Sequence, residues 1–179
     1  NNLQTIVSRN LDLTNEAAVV TIGRFESGIR SNIIPESAYM EGTIRALDYE
    51  MRDEIYKRLK EIVVNTAKSN NLEAEVILKT PYPITYNDLK LTDQMKKTLF
   101  RVAGENNVKL ARASTGAEDF SYFANKVPGF FFRLGGMPIE DHPNKGFSHH
   151  TPDFYIDDSG LILGVRAMAN LAVDYLNTN

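Results

Sequence analysis

Imidazole groups are the first candidates for chemistry in this sequence. The three histidines, His142, His149 and His150, lie in or beside one stretch rich in turn-forming residues, MPIEDHPNKGFSHHTPDF. A catalytic zinc site takes about three protein ligands and keeps one position open. His149 and His150 are adjacent, so on an extended backbone their side chains point to opposite faces. The spacing therefore does not support a self-contained zinc site, and solvated loop histidines are the ordinary interpretation.

A pair of carboxylates is the second candidate. Glu118 and Asp119 follow Gly116 in TGAEDFSYFANKV, where glycine supplies a flexible turn. Paired carboxylates can carry acid/base chemistry. Adjacent acidic residues at the start of a helix are more often capping groups that interact favourably with the helix dipole. The local sequence favours capping over catalysis.

Two further polar residues could bind a substrate. Arg45 lies on the polar face of a predicted strand, where its planar guanidinium could form a fork with a carboxylate. The commoner use of such an arginine is a cross-strand ion pair with a neighbouring glutamate. Asn32 precedes Ile33, Ile34 and Pro35 in a connection between strands, where asparagine usually stabilises a turn.

The elements that position Asn32 and Arg45 are predicted in the order helix, strand, strand, helix, strand. The five predicted elements are a helix with an apolar stripe from Leu3 to Leu11, strands over 17–25 and 37–47, a long helix capped by Asp48, and a strand over 72–79. This order is a split βαβ, ferredoxin-like arrangement without its first strand. A helix already running at Leu3 also indicates that the sequence starts inside a larger protein.

The second half is predicted to be a separate domain of α/β type. Pro81 and Pro83 indicate a linker, so we divide the chain into residues 1–81 and 82–179. A helix is expected from a cap at Thr92 to Gly104, and PGFFFRLGG is expected to be a buried strand. Asp157 or Asp158 would cap the last helix, whose apolar face is predicted to contain Leu161, Val165, Met168, Leu171, Ala172 and Tyr175.

Composition excludes several classes of function. The 179 residues are 42% hydrophobic, with a formal charge of -3 and no basic block, so nucleic acid is not an expected partner. No apolar run approaches the ~20 residues of a membrane span. The chain has no cysteine, which excludes disulfides, thiolate zinc sites and cysteine nucleophiles and fits a cytoplasmic location.

Several segments taken together resemble the C-terminal portion of one enzyme family, the metal-dependent aminoacylases, hippurate hydrolases and auxin-conjugate hydrolases. The resemblance spans nearly the whole chain and is carried by IVSRN (6–10), VVTIGRFESG (19–28), SNIIPESAYMEGTIRAL (31–47), TGAEDFSYF (115–123), PGFFFRLG (128–135) and SHHTPDFYIDDSGL (148–161). The family is related in turn to glutamate carboxypeptidases and succinyl-diaminopimelate desuccinylases.

The resemblance implies a two-domain enzyme with two divalent metal ions: zinc, manganese, cobalt or nickel. Residues 1–81 would be most of a split βαβ lid that forms a homodimer, and 82–179 the last part of a zinc-peptidase-like α/β catalytic domain. A metal-activated water attacks the amide carbonyl, with a glutamate as general base. The final metal ligand is a histidine before a small residue, a proline and an aromatic residue, which corresponds to His150 in HTPDF.

The resemblance also assigns substrate-binding residues. Asn32 corresponds to a lid asparagine that binds near the reacting carbonyl or the substrate's carboxylate, and Arg45 to a strand arginine that holds that carboxylate. Gly116 would let backbone donors approach the ligand, while Glu118 and Asp119 would line the site without binding metal.

The family's other metal ligands, its general base and its lid histidine have no counterpart in this sequence. No catalytic residue is therefore expected in this chain. We expect a portion of a cytoplasmic amidohydrolase that cleaves N-acyl amino acids or related carboxylate-bearing amides and is inactive by itself. The alternatives are a peptidase or desuccinylase of the same superfamily, or a non-catalytic dimerisation or regulatory module.

Overall fold

The computed structural model describes residues 2–80, 82–137 and 149–178. They form a mixed α/β fold that divides into two compact units. The first contains Asn1–Ile84 and Arg112–Ser121, and the second contains Thr85–Ala111 and Tyr122–Asn179. The division into a lid of residues 1–81 and a catalytic part of residues 82–179 stays a prediction.

An antiparallel hairpin carries Arg45 in the first unit. Its strands are β1 (Ala18–Ser27) and β2 (Ala38–Ala46), both rich in the residues that favour a pleated surface, as the sequence predicts. Val19 faces Arg45, and the register shifts between Ile22 and Arg24, leaving one extra residue in β1. Because of this bulge, the side-chain alternation of β1 changes at its middle.

One helix covers the base of the hairpin. Helix α1 (Tyr49–Ser69) begins with the predicted cap, since the Asp48 carboxylate accepts a hydrogen bond from the Met51 amide at 2.8 Å. The predicted N-terminal helical segment is present as a short π-helix, Ile6–Asn10. The buried side chains that join these elements are Ile6, Ala18, Val20, Met51 and Ile55.

Two predicted strands are not formed. Residues 72–79 and 128–136 carry no strand in this structure, because a strand requires a neighbour that shares its ladder hydrogen bonds. At the second segment an amide side chain replaces that neighbour: Asn87 accepts from the Phe131 N–H at 2.7 Å and donates to its carbonyl at 2.8 Å. The split βαβ arrangement is not confirmed, since only two of its strands and one of its long helices are present among the described residues.

The second unit is built on two helices, α2 (Leu89–Ala103) and the C-terminal helix Leu161–Thr178. The prediction that Thr92 caps α2 is wrong, because the Asp88 carboxylate accepts from the Leu91 amide at 2.7 Å. The predicted end at Gly104 is confirmed, with a left-handed φ of 84° that favours glycine. Between α2 and the C-terminal helix in the chain lies a short helix, α3 (Phe120–Ala124). The C-terminal helix is therefore α4.

The predicted core face of α4 is partly wrong. Leu171 is buried, but Val165 and Met168 are more than 60% exposed, and Ala167 contacts the core instead. Many of the α4 side chains are apolar, so periodicity alone does not select the side that packs on α2. Polar groups select it: Asp174 of α4 accepts from the Thr98 hydroxyl and the Arg101 guanidinium of α2, each at 2.6 Å.

Short 3₁₀ turns complete the described elements, at Glu105–Asn107 and Asp158–Gly160. The sequence predicts Asp157 or Asp158 as the cap of α4; in the structure Asp157 accepts from the Ser159 amide at 2.9 Å and caps the 3₁₀ turn that leads into α4. The same backbone hydrogen bond lowers the pKa of the Asp157 carboxyl. None of the helices in the described ranges is long and apolar enough to cross a bilayer.

Candidate functional site

Arg45 is the predicted site residue with the clearest geometry. It projects from β2 opposite Val19, is exposed, and donates from Nη1 to the Thr115 carbonyl oxygen at 2.8 Å. No acidic side chain of the described residues forms an ion pair with it; the hairpin glutamates Glu26 and Glu41 pair with Arg24 instead. The cross-strand ion pair that is the ordinary role of such an arginine is therefore not formed among the described residues.

Thr115, the partner of Arg45, is adjacent in the chain to a second predicted site residue, Gly116. Both Thr115 and Gly116 belong to the first compact unit, which contains the segment Arg112–Ser121 as well as the hairpin. Gly116 is exposed, and a Cβ added there would meet only the Ser114 hydroxyl at 4.0 Å. Its φ is not in the left-handed region. The backbone at Gly116 is thus open to a ligand.

Of the two carboxylates after Gly116, the Glu118 carboxylate has a structural role in this segment. One Glu118 carboxylate oxygen accepts from the Phe120 amide at 3.4 Å, at the start of α3. The Ser121 hydroxyl, on a fully buried side chain, donates to the Glu118 carbonyl at 2.6 Å. The Asp119 side chain is exposed. These contacts match the capping interpretation for Glu118.

Asn32 lies in the exposed turn between β1 and β2. The turn is closed by a backbone bond from Ile33 to the Arg30 carbonyl at 3.3 Å. Within the described residues the Asn32 amide side chain makes no hydrogen bond, so it does not stabilise the turn. Two flanking apolar side chains are almost fully exposed, Ile29 at 90% and Ile34 at 93%. The tip of the hairpin therefore presents a polar amide between apolar groups.

The adjacent histidines have different environments, and both belong to the second unit. The His149 ring packs against the Phe154 ring, with centroids 4.8 Å apart. His150 is exposed and adopts φ 65°, a left-handed conformation that is uncommon for a residue other than glycine. Such strain is concentrated at functional sites. His142 lies outside the described residues.

The side chains that could donate to a metal ion do not form a complete centre. Among residues 2–80, 82–137 and 149–178, no group of three or more His, Cys, Asp or Glu side chains could hold a metal ion. A catalytic zinc site needs about three protein ligands. The described residues therefore do not fit a complete metal site, and His150 is at most one ligand of it.

Sequence reasoning missed one member of this arrangement, the Thr115 carbonyl. It is a backbone acceptor 70 residues from Arg45. Every residue carries the same carbonyl group, so side-chain types give no signal for such a partner. The structure joins Arg45 to the Thr115–Gly116 segment, within one unit, while Asn32 lies at the far end of the hairpin.

The fold and these residues belong to a known class of hydrolases. The model of peptidase family M20/M25/M40 matches residues 7–174, and the chain therefore belongs to this family. It is also similar to a solved structure, the Bacillus subtilis YxeP protein, described as a dinuclear metal-binding peptidase from the M20 family. That similarity has a TM-score of 0.76 and 29% identity over 98% of this chain and 46% of the other.

Proteins similar to this chain are named for different activities. The IAA-amino acid hydrolase ILR1-like 2 of Arabidopsis thaliana is 34% identical over 97% of this chain and 39% of its own length. The N-acetyldiaminopimelate deacetylase of Lactococcus lactis is 35% identical over 94% and 45%. Thermostable carboxypeptidase 2 of Saccharolobus solfataricus is 34% identical over 99% and 44%. The chain thus spans less than half the length of these relatives.

Proposed function

We propose that this chain is the C-terminal portion of a metal-dependent amidohydrolase that cleaves the amide bond of N-acyl amino acids or related carboxylate-bearing amides. Family membership supports hydrolysis as the reaction type. Two of the relatives described above are named for removing an amino acid or an acetyl group from an amide. The chain by itself is proposed to be inactive, with the general base in the rest of the enzyme.

The proposed substrate class is supported mainly by the exposure and hydrogen bonding of Arg45. Its guanidinium is exposed and bound to one backbone carbonyl, with no acidic partner among the described residues. A guanidinium in this state keeps donors for a planar anion, and carboxylate is the anion whose geometry matches the fork. The carboxylate of an N-acyl amino acid would supply the negative charge that the described residues do not supply.

Three further residues have proposed roles. Asn32 would donate or accept at the substrate amide or carboxylate, and the exposed backbone at Gly116 would approach the ligand. His150 would be one ligand of a centre of two divalent ions, for which zinc, manganese, cobalt and nickel are the candidates. Its exposed imidazole and left-handed backbone support this role.

We also propose a homodimer formed through the hairpin unit, and a cytoplasmic location. The absence of cysteine fits a reducing compartment. The dimer rests on the family resemblance of residues 1–81 and would be checked by light scattering of the full-length protein.

The metal role is tested by His150→Ala in the full-length protein, with His149→Ala as the matched control. Loss of one imidazole ligand should reduce metal content at equilibrium and abolish most of the hydrolysis of hippurate. His149 packs on Phe154, so its replacement should leave metal content nearly unchanged. Full metal content and activity in His150→Ala would rule out this ligand.

The carboxypeptidase relative favours one alternative, hydrolysis of peptides. Hippurate, N-acetyl amino acids and dipeptides should be compared with the full-length enzyme, after chelation and reloading with each candidate ion. Faster turnover of N-acyl amino acids is the expected result. Turnover confined to dipeptides would make the enzyme a peptidase.

A further inference from the structure

We infer that Arg45 is also a positioning residue, which fixes the Thr115–Gly116 segment on the hairpin. The inference starts from the Nη1 to Thr115 carbonyl bond of 2.8 Å. It joins the end of β2 to a segment that follows 70 residues later, and both belong to one compact unit. A charged donor makes this bond stronger than one between neutral groups.

The segment is held on both sides of its exposed part. Arg45 binds Thr115 on one side, and the buried Ser121 hydroxyl binds the Glu118 carbonyl on the other. Gly116 and Ala117 lie between these points and are exposed. Residues 109–118 contain no helix or strand, so no regular ladder of hydrogen bonds sets their position. The guanidinium is therefore one anchor of this segment.

The same bond has a consequence for ligand recognition, which rests on the proposed function. A guanidinium is planar, so fixing Nη1 on a carbonyl restricts the direction of its other N–H groups. A carboxylate that binds those N–H groups would also hold the guanidinium in place, and through it the Thr115–Gly116 segment. Carboxylate binding at Arg45 would therefore restrict the backbone beside Gly116. An uncharged amide would not bind the guanidinium in the same way.

Backbone ¹⁵N relaxation of the full-length protein tests the anchor without any enzyme activity. Arg45→Gln should lower the order parameters of the Gly116 and Ala117 amides from about 0.85, the value of a rigid backbone, to about 0.6. Thr115→Ala is the matched control, because the acceptor is the backbone carbonyl and is retained. Arg24→Gln is a second control, since it removes a hairpin arginine whose partners are glutamates. Both should leave the two amides unchanged.

The amides of α1 are measured in the same samples. A fall in the order parameter confined to Gly116 and Ala117 supports the anchor, whereas unchanged values there or an equal fall throughout α1 would overturn it. In the metal-free full-length protein, hippurate should raise the order parameter of Gly116 and its carboxamide analogue should not. Absence of any hippurate effect, with the segment still dependent on Arg45, would count against the proposed substrate class and leave the anchor intact.

Discussion

Replacement of Gly42 by alanine should destabilise the hairpin that carries Arg45. Gly42 lies on β2 opposite Ile22, and a Cβ built there would be 2.1 Å from the Thr21 carbonyl oxygen and 3.0 Å from Ile22 Cδ1. The first contact is with backbone, which cannot move aside by a rotamer change. A tolerable separation requires the strands to part by about 1 Å, which would break the adjacent ladder hydrogen bonds.

The expected cost follows from those bonds. Two ladder hydrogen bonds at about 1 kcal/mol net each give roughly 2 kcal/mol, within the range of about 1–3 kcal/mol for overpacked sites. With a urea dependence of about 2 kcal/mol per molar, the midpoint of unfolding should fall by about 1 M. Urea titration followed by circular dichroism measures this shift.

Gly23→Ala is the matched control on the opposite strand. Apart from Gly23 and its two chain neighbours, no atom of the described residues lies within 4 Å of the position that a Cβ would take at Gly23, and the φ of this residue is not left-handed. Alanine at such a site restricts the unfolded chain and adds about 0.4–1 kcal/mol of stability. The midpoint should stay constant or rise. Equal midpoints for Gly42→Ala and Gly23→Ala would refute the close approach of β2 to Thr21.

Two further predictions concern the second unit. Asp88→Ala should lower the free energy of unfolding by about 1 kcal/mol through loss of the α2 cap. Thr92→Val should not, because the buried Thr92 hydroxyl has no hydrogen-bond partner among the described residues; denaturant titration compares the two variants. A hydrogen bond from the Thr98 hydroxyl, and a smaller effect of Arg101, hold the pKa of the Asp174 carboxyl below its ordinary value. This carboxylate therefore stabilises the fold above about pH 3.9, the pKa of an unperturbed aspartate. The contribution is lost as the pH falls through the lower pKa of the folded state. Thermal unfolding at pH 7 and pH 3 should therefore show a smaller acid-induced drop for Asp174→Asn than for the parent chain, and identical drops would contradict the assignment.

Local signals in the sequence determined the hairpin, α1 with its Asp48 cap, and the end of α2 at Gly104. These features depend on side chains a few residues apart, so their pattern is visible in the letters themselves. The motifs likewise determined the family, which the family model confirms.

The tertiary structure alone decided which donors and acceptors meet. It placed Asp88 rather than Thr92 at the start of α2, turned α4 so that Asp174 meets Thr98, and joined Arg45 to the Thr115 carbonyl. A cap has several candidates within one turn, an apolar helix has several possible buried faces, and a backbone carbonyl carries no residue-specific signature. Packing over tens of residues selects among these options, so the pairing that defines the candidate site appears only in the folded chain.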